Sequence, residues 1–220
     1  MLRYGFGVAL LMLLALALRA CSSVPTFIAR DEPWRAEEER ACLATGLVRE
    51  TDFVTVRTGL GGPSVCGALK PFKVAATARG AVAMEPPALL RCPMVHALEH
   101  WMDRVVAPAA RFHLNAKVVG VKVLSSYSCR PMNNADGALL SEHGHANAID
   151  VSAFVLEDGR VLTLRAGWQG SAAERRFLRA VHDGGCSVFT TVLGPDYDRL
   201  HHDHLHLDLA RHADHGRICK

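Results

Sequence analysis

Strict alternation of polar and apolar residues in His204-Leu-His-Leu-Asp-Leu209 predicts a β-strand near the end of the chain. Side chains repeat with period two along a strand, so His204, His206 and Asp208 share one face and Leu205, Leu207 and Leu209 bury the other. A second strand is predicted over Ala148–Val155. The turn Glu157-Asp-Gly159 links it to Arg160–Leu164 as a hairpin. Val118–Leu124, Ser187–Leu193 and the short Phe53–Val56 complete the predicted strands, and Gly59–Pro63 reads as a turn. Helical spacing appears in Glu37–Leu47 and in Cys92–Ala110. In the second of these, Val95, Leu98, Trp101, Met102 and Val105 recur on one face and Pro93 suits a first turn. Ser171-Ala-Ala-Glu174 is a capping box that opens a helix through His182, with Gly184 and Gly185 to stop it. The predicted fold class is α+β, with helices packed on a small, mostly antiparallel sheet.

The first residues change the setting. Phe6–Leu18 is an apolar run after Arg3, of the length expected for a secretory signal and short for a bilayer span. Leu18-Arg-Ala-Cys21 resembles a bacterial lipoprotein cleavage site with Cys21 as the lipidated residue, which would attach the chain to a membrane through a lipid anchor. Cleavage near Ala17 or Ala20, or an uncleaved anchor, are the other two readings. Residues 1–20 are therefore expected to be a signal peptide, 21–38 a tether, and 39–220 one folded domain. The net charge of +3 falls to +1 without Arg3 and Arg19. Such a balance gives no basis for nucleic-acid binding, which needs a concentrated basic face. Apart from Cys21, six cysteines remain, an even number that suits three disulfides in an oxidising compartment. Proximity along the chain suggests Cys42–Cys66, Cys92–Cys129 and Cys186–Cys219.

The chemistry concentrates in two segments, Ser141-Glu-His-Gly-His-Ala-Asn-Ala-Ile-Asp150 and Asp203-His-Leu-His206. His143, Asp150 and His206 offer two imidazoles and a carboxylate. This is a three-ligand set for one Zn2+ with a position left for water, as in catalytic zinc sites. His145 competes with His143 as the ligand, or serves in support or substrate contact. Four of the twelve histidines fall within 201–206, which argues against a merely polar strand face. His96 and His100 lie four apart on the predicted second helix. Their surroundings do not match the helical zinc-peptidase motif, and ordinary surface histidines are the simpler reading.

Ser-x-His-x4-Ala-x-Asp followed by His-x-His resembles the signature of the zinc D-Ala-D-Ala metallopeptidases, a group that includes the hedgehog signalling domain. More closely, the chain resembles the bacterial extensin-like C-terminal domain family. The similar stretches are Ser126-Tyr-Ser-Cys-Arg130, Ser141–Asp150, Phe154-x-Leu-x-Asp-Gly159, Val192-Leu-Gly-Pro195 and His201-x-Asp-His-Leu-His-Leu-Asp208, within roughly residues 40–220. The resemblance implies a disulfide-stabilised, hedgehog- or peptidase-like fold with His143, Asp150 and His206 as zinc ligands. It implies a base beside the ion, either His204 or Asp203, with strand parity favouring His204. It also implies that Arg130 faces the substrate, where a guanidinium can bind a carboxylate or an oxyanion. Ser141, His145, His201 and Asp208 are expected to support ligands or touch substrate. Ala146 departs from the glycine common in the peptidases.

The expected function is zinc-dependent hydrolysis of peptidoglycan stems or crosslinks in the bacterial periplasm. The alternatives are a non-catalytic zinc-containing domain that binds cell wall or a partner, and a structural envelope lipoprotein.

Overall fold

The structure, a computed structural model, is described for residues 26–213 and 216–220. The expected signal segment and Cys21 lie outside these residues. Among the described residues, no helix is long and apolar enough to cross a membrane.

In chain order the elements begin with helix α1 (Trp34–Thr45), β1 (Val54–Val56), a hairpin of β2 (Leu60–Gly61) and β3 (Gly67–Ala68), β4 (Phe72–Thr77) and β5 (Val82–Leu90). Helix α2 (Cys92–Trp101) then passes through a π-helical turn (Met102–Val106) into α3 (Ala107–Leu114). After β6 (Val118–Ser125) come β7 (Ala148–Leu156), β8 (Val161–Thr163), the short α4 (Leu164–Gly167) and α5 (Ala172–Gly185). The chain ends in β9 (Thr191–Leu193), β10 (Leu205–Asp208) and β11 (Ile218–Cys219).

The fold is α+β, but the sheet is larger than expected and mixed. Nine strands run in the order β1-β4-β5-β6-β7-β10-β9-β11, with β8 also on β7. The β5–β6 and β9–β11 pairings are parallel and the others antiparallel. A parallel neighbour needs a long crossover. Here the α2–α3 segment supplies it between β5 and β6, so that excursion packs as a helical layer. Trp101 on α2 anchors that layer, with its ring 6.1 Å from Phe154 and 6.0 Å from Phe189 and its indole N–H donated to the Val181 carbonyl. Phe177 on α5 stacks edge-on against Phe154.

The π turn has a local cause. Pro108 has no N–H to give the Arg104 carbonyl, so the regular ladder fails one turn before it. The capping box at Ser171 and Glu174 is formed. Helix α5 runs on to Gly185 rather than stopping at His182. Gly185 lies against Trp101, where a Cβ would stand 3.3 Å from the indole nitrogen, so the glycine serves close packing as well as termination. The strand expected over Ser187–Leu193 begins only at Thr191. Before it, the Val188 and Phe189 amides bond back to the Gly185 carbonyl, and Phe189 turns into the core.

The disulfides are Cys42–Cys92, Cys66–Cys129 and Cys186–Cys219. Two of the expected pairs, Cys42–Cys66 and Cys92–Cys129, are corrected. Helix α1 packs on α2, which brings Cys42 to Cys92, and the β2–β3 hairpin covers the loop holding Cys129. Neighbourhood along the chain does not capture either contact. Three disulfides indicate an oxidising, exported environment. The expected tether is also revised from Thr26 onward, because that segment is docked. The Thr26 amide bonds to Asp136, the Ile28 amide to the Ala138 carbonyl, and Leu140 returns a bond to the Ile28 carbonyl.

Candidate metal centre

Strands β7 and β10 pair antiparallel with His206 opposite Asp150. On one face Ile149, Val151, Leu205 and Leu207 are fully buried in the core, so Asp150, His206 and Asp208 project from the other. Between Val151 and Ala153 the register against β6 skips Ser152. This bulge re-aims the strand, so that Phe154 reaches the same core as Val151 while Asp150 keeps the opposite face.

His143 arrives from a short 3-10 turn, Glu142–His145, just before β7. The Ser141 hydroxyl caps this turn by accepting from the His143 amide. Ala146 ends it in the left-handed conformation, φ 52°, which explains why glycine suits the position and shows that alanine is accommodated. Beneath the turn, Glu142 holds Arg35 through two bonds of 2.8 and 2.6 Å and accepts from the Asn147 side chain at 2.6 Å. Arg35 also stacks on Trp34, 4.4 Å from the ring centroid. The ligand-bearing turn is thus tied to α1.

His143, Asp150 and His206 form a group whose ligand atoms lie within 4.8 Å of one another. His143 Nε2 is 3.1 Å from Asp150 Oδ2 and 3.2 Å from His206 Nδ1, and that nitrogen is 2.8 Å from Asp150 Oδ1. Donors bound to one tetrahedral zinc lie about 3.3 Å apart, close to these separations. The outer nitrogens are committed elsewhere. His143 Nδ1 donates to the Ser126 carbonyl at 2.5 Å, and His206 Nε2 donates to Asp208 Oδ2 at 3.0 Å. Each proton is drawn outward, leaving a lone pair aimed at the centre, the arrangement that metal-binding histidines use.

The electrostatics point the same way. Burial disfavours the Asp150 charge, but the His143 and His206 hydrogen bonds outweigh it and hold the carboxyl well below the usual range. Burial likewise opposes the charge on His206, yet Asp150 and Asp208 push it up to about 10. Without a metal, a proton on His206 offsets part of the charge of the two carboxylates. A cation at the same place would replace it. These residues can hold a metal ion. Exchanging Asp208 for Asn should weaken metal binding about 10- to 100-fold, because the outer partner of His206 loses its charge. Competition with a chromogenic chelator measures this, and unchanged affinity would show that Asp208 does not act through His206.

The other expected site residues divide by position. His204 and Arg130 line the cavity of about 660 Å³ that contains the centre. His204 Nδ1 lies 2.9 Å from Asp203, while its Nε2 points inward, 3.7 Å from Asp150 Oδ1. Asp203 itself is not part of the cavity wall. His201 lies beside His204 with ring centroids 5.2 Å apart, and its Nδ1 bonds to Asp198. His145 is not in the ligand group. It is buried on the Arg35 side of the turn, where burial and the Arg35 charge push it down to about 4. His96 and His100 are exposed and belong to no such group. A second potential group, His182 with Cys186 and Cys219, is made unsuitable by the disulfide between its cysteines.

The sequence reading missed Ser126 as the acceptor for His143, since the acting atom is a backbone carbonyl. It also missed Asp198, which a three-residue spacing to His201 would have suggested, and Arg35, which carries no local signal.

No curated protein and no solved structure matches the chain. A family model described as the extensin-like protein C-terminus matches residues 40–220, and the chain belongs to that family.

Proposed function

We propose that this protein is a zinc-dependent peptidase of the bacterial periplasm, related to the D-Ala-D-Ala metallopeptidases and acting on the peptide stems or crosslinks of peptidoglycan. The observation that carries this reading is the His143–Asp150–His206 group, with its outer nitrogens occupied and its open side in a cavity shared by His204 and Arg130. Zinc, when bound, supplies a Lewis acid and lowers the pKa of water. His143, Asp150 and His206 would hold it.

His204 is the favoured base. Asp203 sits behind its Nδ1 and orients the ring, so Nε2 can take a proton from the attacking water and return it to the leaving amine. The two residues that the sequence left as competing bases thus suit one dyad. Arg130 lines the same cavity, and no carboxylate among the described residues pairs with it. It is free to hold the developing oxyanion or a terminal carboxylate. The Cys66–Cys129 disulfide steadies the residue just before it. Attachment at Cys21 would keep the protein beside the polymer.

The second reading, a non-catalytic binding domain, draws on the cavity rim. Leu124, Met132, Tyr197 and Leu200 are substantially exposed there, and an apolar rim suits a docked partner. Digestion of purified peptidoglycan by the zinc-loaded protein, analysed by mass spectrometry, separates the two. Hydrolysis that chelation abolishes and His204→Ala slows by about 10²- to 10⁴-fold, with zinc retained, supports the peptidase. Intact polymer after incubation with folded, zinc-loaded protein favours the binding domain.

A further inference from the structure

The cavity at the metal centre has a neighbour. A second cavity of about 340 Å³ lies between residues 30–36, the β2–β3 hairpin and Arg91. The two adjoin along Arg30, Glu32, Arg35 and His145, each of which lines both. Arg35 is already engaged with Glu32 and Glu142. His145 is not. Its side chain is only 8 % exposed, and neither ring nitrogen makes a hydrogen bond with a described residue; the Glu32 carboxylate, at 3.9 Å, is out of reach. Its ring lines both cavities with both nitrogens uncommitted, so it can hydrogen-bond a ligand that enters them.

The walls of the second cavity describe that occupant. Arg30 and Asp31 are exposed and lack a partner among the described residues, so one cation and one anion are on offer. Leu60, Val65 and Leu69 add apolar surface. An imidazole donates from one nitrogen and accepts at the other, which matches the N–H and C=O of a peptide group. Mixed charge, apolar contact and a two-way hydrogen-bonding group suit a polypeptide branch carrying both amino and carboxyl groups. They do not suit a uniformly charged polymer. The first cavity alone has the volume of a small-molecule site, so a ligand that fills both is larger than a two-residue terminus.

We infer that the second cavity is a subsite for the second strand of a crosslinked peptide, with His145 contacting the ligand where the cavities meet. This rests on the peptidase reading above and names its substrate as the crosslinked form over the single stem.

The test compares an uncrosslinked muropeptide with the corresponding crosslinked dimer. Binding is measured by calorimetry to the zinc-loaded full chain in detergent, with His204→Ala present throughout to prevent turnover. The dimer should bind about tenfold more tightly than the monomer. Leu69→Trp, which fills the second cavity from its half-exposed wall, and His145→Ala should each bring the dimer down to the affinity of the monomer. Leu69→Trp changes a surface position and guards against a folding defect in the His145 variant. Equal affinity for monomer and dimer, or an advantage of the dimer that survives both substitutions, overturns the inference and leaves the peptidase reading standing. Binding of neither ligand by folded, zinc-loaded protein overturns both, and it is recognised by the loss of monomer binding, which the second cavity does not serve.

Discussion

Asp150→Ala is expected to abolish metal-dependent stabilisation and hydrolysis together. The carboxylate lies between two imidazoles whose inner nitrogens are 3.1 and 2.8 Å from its oxygens. Without it, His143 and His206 confront each other at 3.2 Å with no carboxylate between them to ligate a cation. In the parent protein, zinc at a thousandfold excess over its dissociation constant should add about 4 kcal/mol to stability by mass action. The variant should show no zinc-dependent rise in melting temperature and should retain no stoichiometric zinc after dialysis. Its hydrolysis of peptidoglycan should fall to background. If the variant kept both zinc and activity, the ligand set would have to be redrawn around another imidazole of the cavity, such as His201 or His204.

Removing the Cys66–Cys129 disulfide by paired serine substitution should have the largest effect on stability. The bond closes a sequence separation of 63 residues, for which loop-closure entropy predicts about 4 kcal/mol. In a chain of this size that corresponds to a fall in melting temperature of roughly 10 °C. Denaturant titration measures the loss directly. Hydrolysis should also fall under conditions where the variant remains folded, because the bond pins the hairpin to the residue before Arg130. Peptide mapping without reductant provides the companion check. Recovery of Cys92 joined to Cys129, or Cys42 to Cys66, would contradict the observed connectivity.

Which parts of this molecule were legible from its residues follows from the range of the interactions involved. Alternation in His204–Leu209 gave the strand face bearing His206 and Asp208, since strand periodicity is local and strict. The capping box at Ser171 was equally plain, because both partners lie within four residues. Elements decided by distant contacts were not legible. The Ser152 bulge follows from β6 and the core behind Phe154, and nothing in Val151-Ser-Ala-Phe154 announces it. Phe189 reads as a strand residue in Ser187–Leu193, yet it turns inward against Trp101, far away in sequence. The cysteine partners depended on which helix packs on which. In the metal group, the residue types were readable in advance, but the tie from Glu142 to Arg35 joins residues more than a hundred positions apart.

The docking of residues 26–38 bears on where this protein can be divided. The family match begins at residue 40, inside helix α1, whereas Trp34 and Arg35 lie before that point and brace the turn that carries His143. Ile28, Arg30 and Glu32 supply part of the cavity wall. A fragment excised at the family boundary would therefore keep every ligand of the metal group while losing one bank of the cleft. The segment matched by the family and the segment that walls the cleft do not coincide in this chain, since the wall begins upstream of the match.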